Sequence, residues 1–151
     1  MKYVLCVFDE KKDFRVSHYV YADLEKAQSE LKIWQMMNTA MNSRITAITD
    51  TYCSIQEDNY ILIAQIIEVK DGSPFAVGCL YRDDLHFFID DFCDNESTAL
   101  DTMEDIATNH FTKKSMREFN TKQLSQPRII KGYGKNETFD AYFVIDLNSL
   151  A

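Results

Sequence analysis

Between Arg44 and Phe92 the chain alternates short apolar runs with polar breaks of only a few residues. Parallel strands need a crossover of a dozen or more residues, so breaks this short allow only antiparallel neighbours. The runs are Ile45 to Gln56, Tyr60 to Lys70, Phe75 to Tyr81 and Leu85 to Phe92. Glu57-Asp58-Asn59, Asp71-Gly72 and Arg82-Asp83-Asp84 separate them, and Asp-Gly is a strong hairpin signal. An antiparallel meander of four strands is the expectation.

The flanks read as mixed structure. Lys2 to Phe8 and Phe14 to Tyr21 form a hairpin across the charged stretch Asp9 to Asp13. Asp23 stands where an N-cap belongs, its carboxylate ready to accept from an orphan N–H of the first turn. Leu24, Ala27, Leu31, Trp34 and Met41 mark one face of a helix running to about Met41 or Asn42. Met36, Met37 and Ala40 widen that face, so it is expected to be buried. A second helix is expected from Ser97 or Thr98 to about Phe119, with Thr98 and Asp101 at capping-box spacing. Leu100, Met103, Ala107 and Phe111 face inward, and Lys113, Lys114 and Arg117 in the last turns suit the helix dipole. Pro127 ends the next loop. Arg128 to Tyr133 and Thr138 to Leu147 close a final hairpin across Gly134-Lys135-Asn136. The result is an α+β fold, two helices packed on a mainly antiparallel sheet, in the order ββα-ββββ-α-ββ.

A chain of 151 residues with four glycines and two prolines has room for one core and shows no linker, so residues 1–151 read as a single domain. No period in the sequence marks an internal repeat. The apolar run Tyr3 to Phe8 meets Asp9 and Glu10 too early for a signal peptide. Ile61 to Ile67 is too short to span a bilayer. A cytoplasmic protein is expected. Cys6, Cys53, Cys79 and Cys93 have neither disulfide-framework nor zinc spacing and are expected to be reduced and buried.

The formal net charge is −8, and it is unevenly placed. Asp83, Asp84, Asp90, Asp91, Asp94, Glu96, Asp101, Glu104 and Asp105 are nine acids in a stretch, Asp83 to Thr112, that has no lysine or arginine. The 82 residues before it carry −2 and the residues from Lys113 onward +3. A field of this sign repels nucleic acid and anionic lipid and attracts basic surfaces. Phe87, Phe88 and Phe92 are interleaved with Asp90 and Asp91. The doublet Phe87-Phe88 breaks strand alternation, which leaves at least one ring outside. An aromatic anchor ringed by acids suits an Arg- or Lys-rich partner. The expected partner-binding residues are Asp83, Asp84, Phe88, Asp90, Asp91, Asp94 and Glu96. The competing reading is a solvated face that keeps the chain in solution.

Catalytic signals are sparse. Glu68-Val69-Lys70 at a strand end resembles the acid-x-lysine of the PD-(D/E)-x-K nucleases. In that resemblance the acid binds Mg²⁺, the lysine aligns a water, and a further acid, Asp50 or Asp58, completes the site. No Pro-Asp precedes it, and an acidic surface repels DNA. His18, His86 and His110 are scattered, and Ser17-His18 has no third partner for a triad. Gly132-x-Gly134 precedes a strand, so it lacks the helix N-terminus that holds phosphate and reads as a hairpin turn. No cofactor or structural metal is expected.

Three functions follow. The first is a non-enzymatic protein that docks on a basic partner, such as a nuclease or toxin, and inhibits it, in the manner of an immunity protein or a phage anti-defence inhibitor. A nuclease must be positive to bind phosphate, so acids on its inhibitor speed the encounter. The second is a metal-dependent nuclease using Asp58, Glu68 and Lys70. The third is an accessory protein that self-associates. In that reading the seven basic residues from Lys113 to Lys135 meet the acidic stretch of a second copy.

Overall fold

The computed structural model describes residues 1–120, 128–134 and 137–151, and the side chains of all of these except 117–120. The fold is α+β: among the described residues, three α-helices accompany two antiparallel sheets. The sequence reading gives one domain, 1–151; the chain forms two compact units, Met1–Asp71 with Ser149–Ala151, and Gly72–Asn148.

The first unit opens with β1 (Lys2–Asp9), a single 3-10 turn (Glu10–Lys12) and β2 (Arg15–Tyr21). The Asp9 carboxylate accepts from the N–H groups of Lys11 and Lys12, which fixes the turn. Asp13 and Phe14 close it in the left-handed region, where side chains cost energy. Phe14 offsets part of that cost by packing on Phe8 at 6.5 Å between ring centroids. Helix α1 (Leu24–Thr39) starts as expected, with Asp23 accepting from the N–H of Glu25. It seats Ala27 and Leu31 on Leu5, Tyr21, Ala64 and Ile66 of the sheet.

The expected burial of the methionines is overturned. Met36, Met37 and Met41 are 65%, 65% and 78% exposed. The inward stripe that begins at Ala27 and Leu31 continues at helical spacing through Trp34, Asn38 and Asn42, not through the methionines. Asn38 and Asn42 are satisfied there: Asn38 donates to the Trp34 carbonyl, Asn42 donates to the Asn38 carbonyl, and the Tyr60 hydroxyl donates to Asn42.

The run Ile45 to Gln56 is two strands, β3 (Ile45–Ile48) and β4 (Tyr52–Gln56). Thr49 makes the turn: its N–H donates to the Tyr52 carbonyl at 2.7 Å and its hydroxyl accepts from Thr51. β5 (Ile61–Val69) completes a five-stranded sheet in the order β2-β1-β5-β4-β3. β5 is hydrogen-bonded on one side to β1 and on the other to β4, so no edge is left for the next strand. Asp71-Gly72 is therefore not the expected hairpin turn. It lies where one unit ends and the other begins, and the four-strand meander is split between two sheets.

The second unit holds β6 (Phe75–Tyr81), β7 (His86–Cys93), α2 (Glu96–His110), α3 (Lys113–Asn120), β8 (Ile129–Tyr133) and β9 (Phe139–Asp146). Its sheet order is β7-β6-β9-β8. Helix α2 begins earlier than expected because Asn95, not Ser97 or Thr98, is the cap; its Oδ1 accepts from the N–H of Thr98 at 2.8 Å. The single long helix is broken at Phe111. That residue is extended, buried and bridged to Gly134, and Thr112 then caps α3 by accepting from Ser115. Lys113 and Lys114 consequently open a helix instead of ending one, the disfavoured end for positive charge. Lys122, Pro127, Lys135 and Asn136 lie outside the described residues.

The two sheets repeat one wiring. In each, a hairpin leads to a helix and the last strand returns beside the first, so β2-β1-β5-β4 corresponds to β7-β6-β9-β8. The topology thus contains a repeat that the sequence does not display.

Candidate partner-binding face

The sequence-predicted acids lie on one strand and at its two ends. Among the described residues β7 is the outer strand of the second unit's sheet, hydrogen-bonded to β6 alone. Asp83 and Asp84 sit in the tight turn that leads into it, where Leu85 adopts a left-handed conformation and the Asp84 carbonyl lies 2.7 Å from His86 Nδ1. Asp90 is the extra residue of a β-bulge: Val77 faces Asp91 and Gly78 faces Ile89. Asp94 follows the strand and Glu96 starts α2. A strand of this length spans roughly 25 Å, so the carboxylates form a line, not a cluster.

Alternation does not break at Phe87-Phe88. Phe87 is buried against Phe143, with ring centroids 6.0 Å apart, and Phe88 points to the other face at 43% exposure. The break is the bulge, which puts Phe92 opposite Ala76 and leaves it 36% exposed. The Phe88 ring rests on Tyr81 and His86 at 5.8 and 6.2 Å.

Among the described residues Asp83, Asp84, Asp90, Asp91 and Asp94 have no ion-pair partner, whereas Glu96 is paired with Arg128. Asp101 and Glu104 extend the acidic surface along α2. With Glu96 they rim a cleft of about 340 Å³ floored by Leu100, Met103 and Ile130. Ile130 belongs to β8, so these two acids face the opposite edge of the sheet from β7.

The nuclease residues are only partly assembled. Lys70 Nζ lies 3.9 Å from the Glu68 carboxylate, both exposed. Asp58 is in the turn at the far end of β5 and is ion-paired to Arg44. Asp50 is at the Glu68 end, next to Thr51, whose carbonyl accepts from Ile66. Among the described residues no three His, Cys, Asp or Glu side chains converge to hold a metal.

A polar site that sequence reading passes over lies where α2 ends. His110 Nε2 is 2.5 Å from Asp140 Oδ2 on β9, and Asp140 is buried. Burial raises the Asp140 carboxyl above its ordinary range, and the His110 hydrogen bond and charge pull it partly back. The His110 ring stands edge-on to Tyr142 at 5.8 Å. Burial also raises Tyr142, and it pushes the Cys79 thiol up to about 11, which leaves that thiol inert at neutral pH. All four cysteines are free and buried.

Compared with family models, curated proteins and solved structures, the chain matches none. Among the described residues no helix is long and apolar enough to cross a membrane.

Proposed function

We propose that the chain is a non-enzymatic binding protein of the cytoplasm that docks the β7 edge on a basic protein and inhibits it. The observation that carries this reading is the row of carboxylates from Asp83 to Asp94, without ion-pair partners among the described residues, with Phe88 exposed among them on an outer strand. Charge of one sign on an exposed edge steers an oppositely charged partner, and an aromatic ring among the acids supplies the contact that holds it. A nuclease or toxin, positive because it must hold phosphate, is the partner class that fits best.

The same features have a second use. Charged side chains and a bulge on an outer strand deter edge-to-edge pairing. The two uses separate kinetically. The triple variant Asp90→Lys, Asp91→Lys, Asp94→Lys is expected to slow association with a partner recovered from the native host at least tenfold and to flatten its salt dependence. An association rate indifferent to both salt and the three reversals reduces the acids to a guard on the edge.

A further inference from the structure

The first unit contains a cleft with a different chemistry, and it does not rest on the β7 face. The β1–β2 hairpin forms one wall and α1 the other, enclosing about 420 Å³. That is within the size range of small-molecule sites, which are mostly apolar with a few placed polar groups. In the strand register Ser17 lies opposite Val7 and Tyr19 opposite Leu5, so their side chains share the face that carries α1. Tyr19 and the half-buried Trp34 wall the cleft from the strand side and the helix side.

The two ends differ in charge. Lys12 and Arg15 stand at the hairpin tip, where Arg15 is opposite Asp9. Among the described residues neither cation has an ion-pair partner, while the adjacent Lys11 is spent over the Tyr60 ring at 4.5 Å. Asp9, which also lines this end, has one carboxylate oxygen, Oδ1, accepting from the N–H groups of Lys11 and Lys12. Glu30 lies toward the other end, close enough for its charge to raise the Tyr21 hydroxyl beside it, after burial. The turn from Asp9 to Arg15 holds three acids and three bases, and of these bases Lys12 and Arg15 line the cleft.

We propose that this cleft binds a phosphorylated aromatic ligand of the nucleoside monophosphate class. The ring enters between Tyr19 and Trp34, the phosphate meets Arg15 and Lys12, and Glu30 accepts from the hydroxyl or amino groups at the other end. A planar guanidinium matches phosphate oxygens, and an ammonium beside it adds a point charge. Stacking on an aromatic side chain contributes without requiring one particular base.

Trp34 is the only tryptophan, so its emission reports on the cleft directly. Full-length protein is titrated with adenosine, guanosine, cytidine and uridine 5′-monophosphates, followed by Trp34 fluorescence and calorimetry. At least one is expected to quench Trp34 and release heat at sub-millimolar concentration. Lys12→Glu with Arg15→Glu is expected to weaken that binding tenfold or more while leaving the weaker binding of the unphosphorylated nucleoside unchanged. Tyr19→Ala is expected to weaken both. Lys12→Gln with Arg15→Gln serves where charge reversal disturbs the fold by circular dichroism. No quenching and no heat with any of the four up to about 1 mM overturns the proposal. So does binding that either pair of cation variants leaves intact.

Discussion

The two units share a strand wiring and hold their helices to it by opposite means. In the first, α1 meets the sheet mainly through apolar side chains, Ala27 and Leu31 on Leu5, Tyr21, Ala64 and Ile66, and Ile33, Met36 and Met37 on the helix and Met41 just past its end are exposed. In the second, the end of α2 approaches β8 and β9 closely enough to need glycine and is tied by the hydrogen bond between His110 and the buried Asp140, and α3 then covers β8. The first unit instead adds a strand, β3, at the matching edge. One topology is thus compatible with a tolerant, hydrophobic helix contact and with a tight, polar one. The tight one is expected to be much the more sensitive to a single added atom.

Gly132→Ala is the largest test of that contrast. A Cβ there would lie 2.8 Å from Ser115 Oγ and 2.9 Å from Phe111 Cγ, both buried. Relief requires moving the junction between α2 and α3. Overpacking of this kind costs about 2–3 kcal/mol, read as a lower urea midpoint with an unchanged slope. A midpoint within error of the parent would mean that the junction yields easily and that the two helix contacts do not differ in kind.

The buried pair gives a pH-dependent test of intermediate size. Asp140 has a folded pKa above its ordinary 3.8, first from burial and further from Asp83, so the folded state holds its proton to higher pH than the unfolded state. Its contribution to stability is then full below about pH 3.8 and lost as pH rises through the raised value. Asp140→Asn keeps an acceptor for His110 and cannot titrate. Relative to this variant, the parent is expected to be most stable at the acid end and to lose ground as pH rises, measured by urea unfolding from pH 3 to 7. A difference that is flat with pH would remove the raised carboxyl from the account of how α2 is held.

The elements were largely legible because period-2 and period-3.6 patterns are local. Asp23 as the α1 cap and the edges of β1, β2, β6 and β7 follow from such patterns. What escaped depends on partners distant in sequence. That β5 has both edges filled is decided by β1 and β4, so Asp71-Gly72 looks like a hairpin turn from its neighbours alone. Phe111 breaks a good helical stripe because Gly134 offers it a bridge. Gly132 and Gly134 read as turn residues, but neither has positive φ; each is small because a side chain presses on it. At the candidate face the charge run was fully legible, whereas the bulge at Asp90 depends on pairing with β6. His110 and Asp140 are thirty residues apart and joined only by the return of β9.

The smallest expected effect tests the tolerant side of the comparison. Met36 on α1 and Met41 just past its end have most of their surface already in water, so little transfer energy is lost on replacing them. Glutamine has nearly the same helix propensity as methionine. Met36→Gln with Met41→Gln is therefore expected to change unfolding stability by less than about 0.5 kcal/mol. The same pair of changes tests what the helix period implies. If Met36 and Met41, and not Asn38 and Asn42, faced inward, the double variant would lose several kcal/mol, as buried large-to-small or polar replacements do. A loss of that size would put the methionines inside after all and move the polar stripe of Asn38 and Asn42 out.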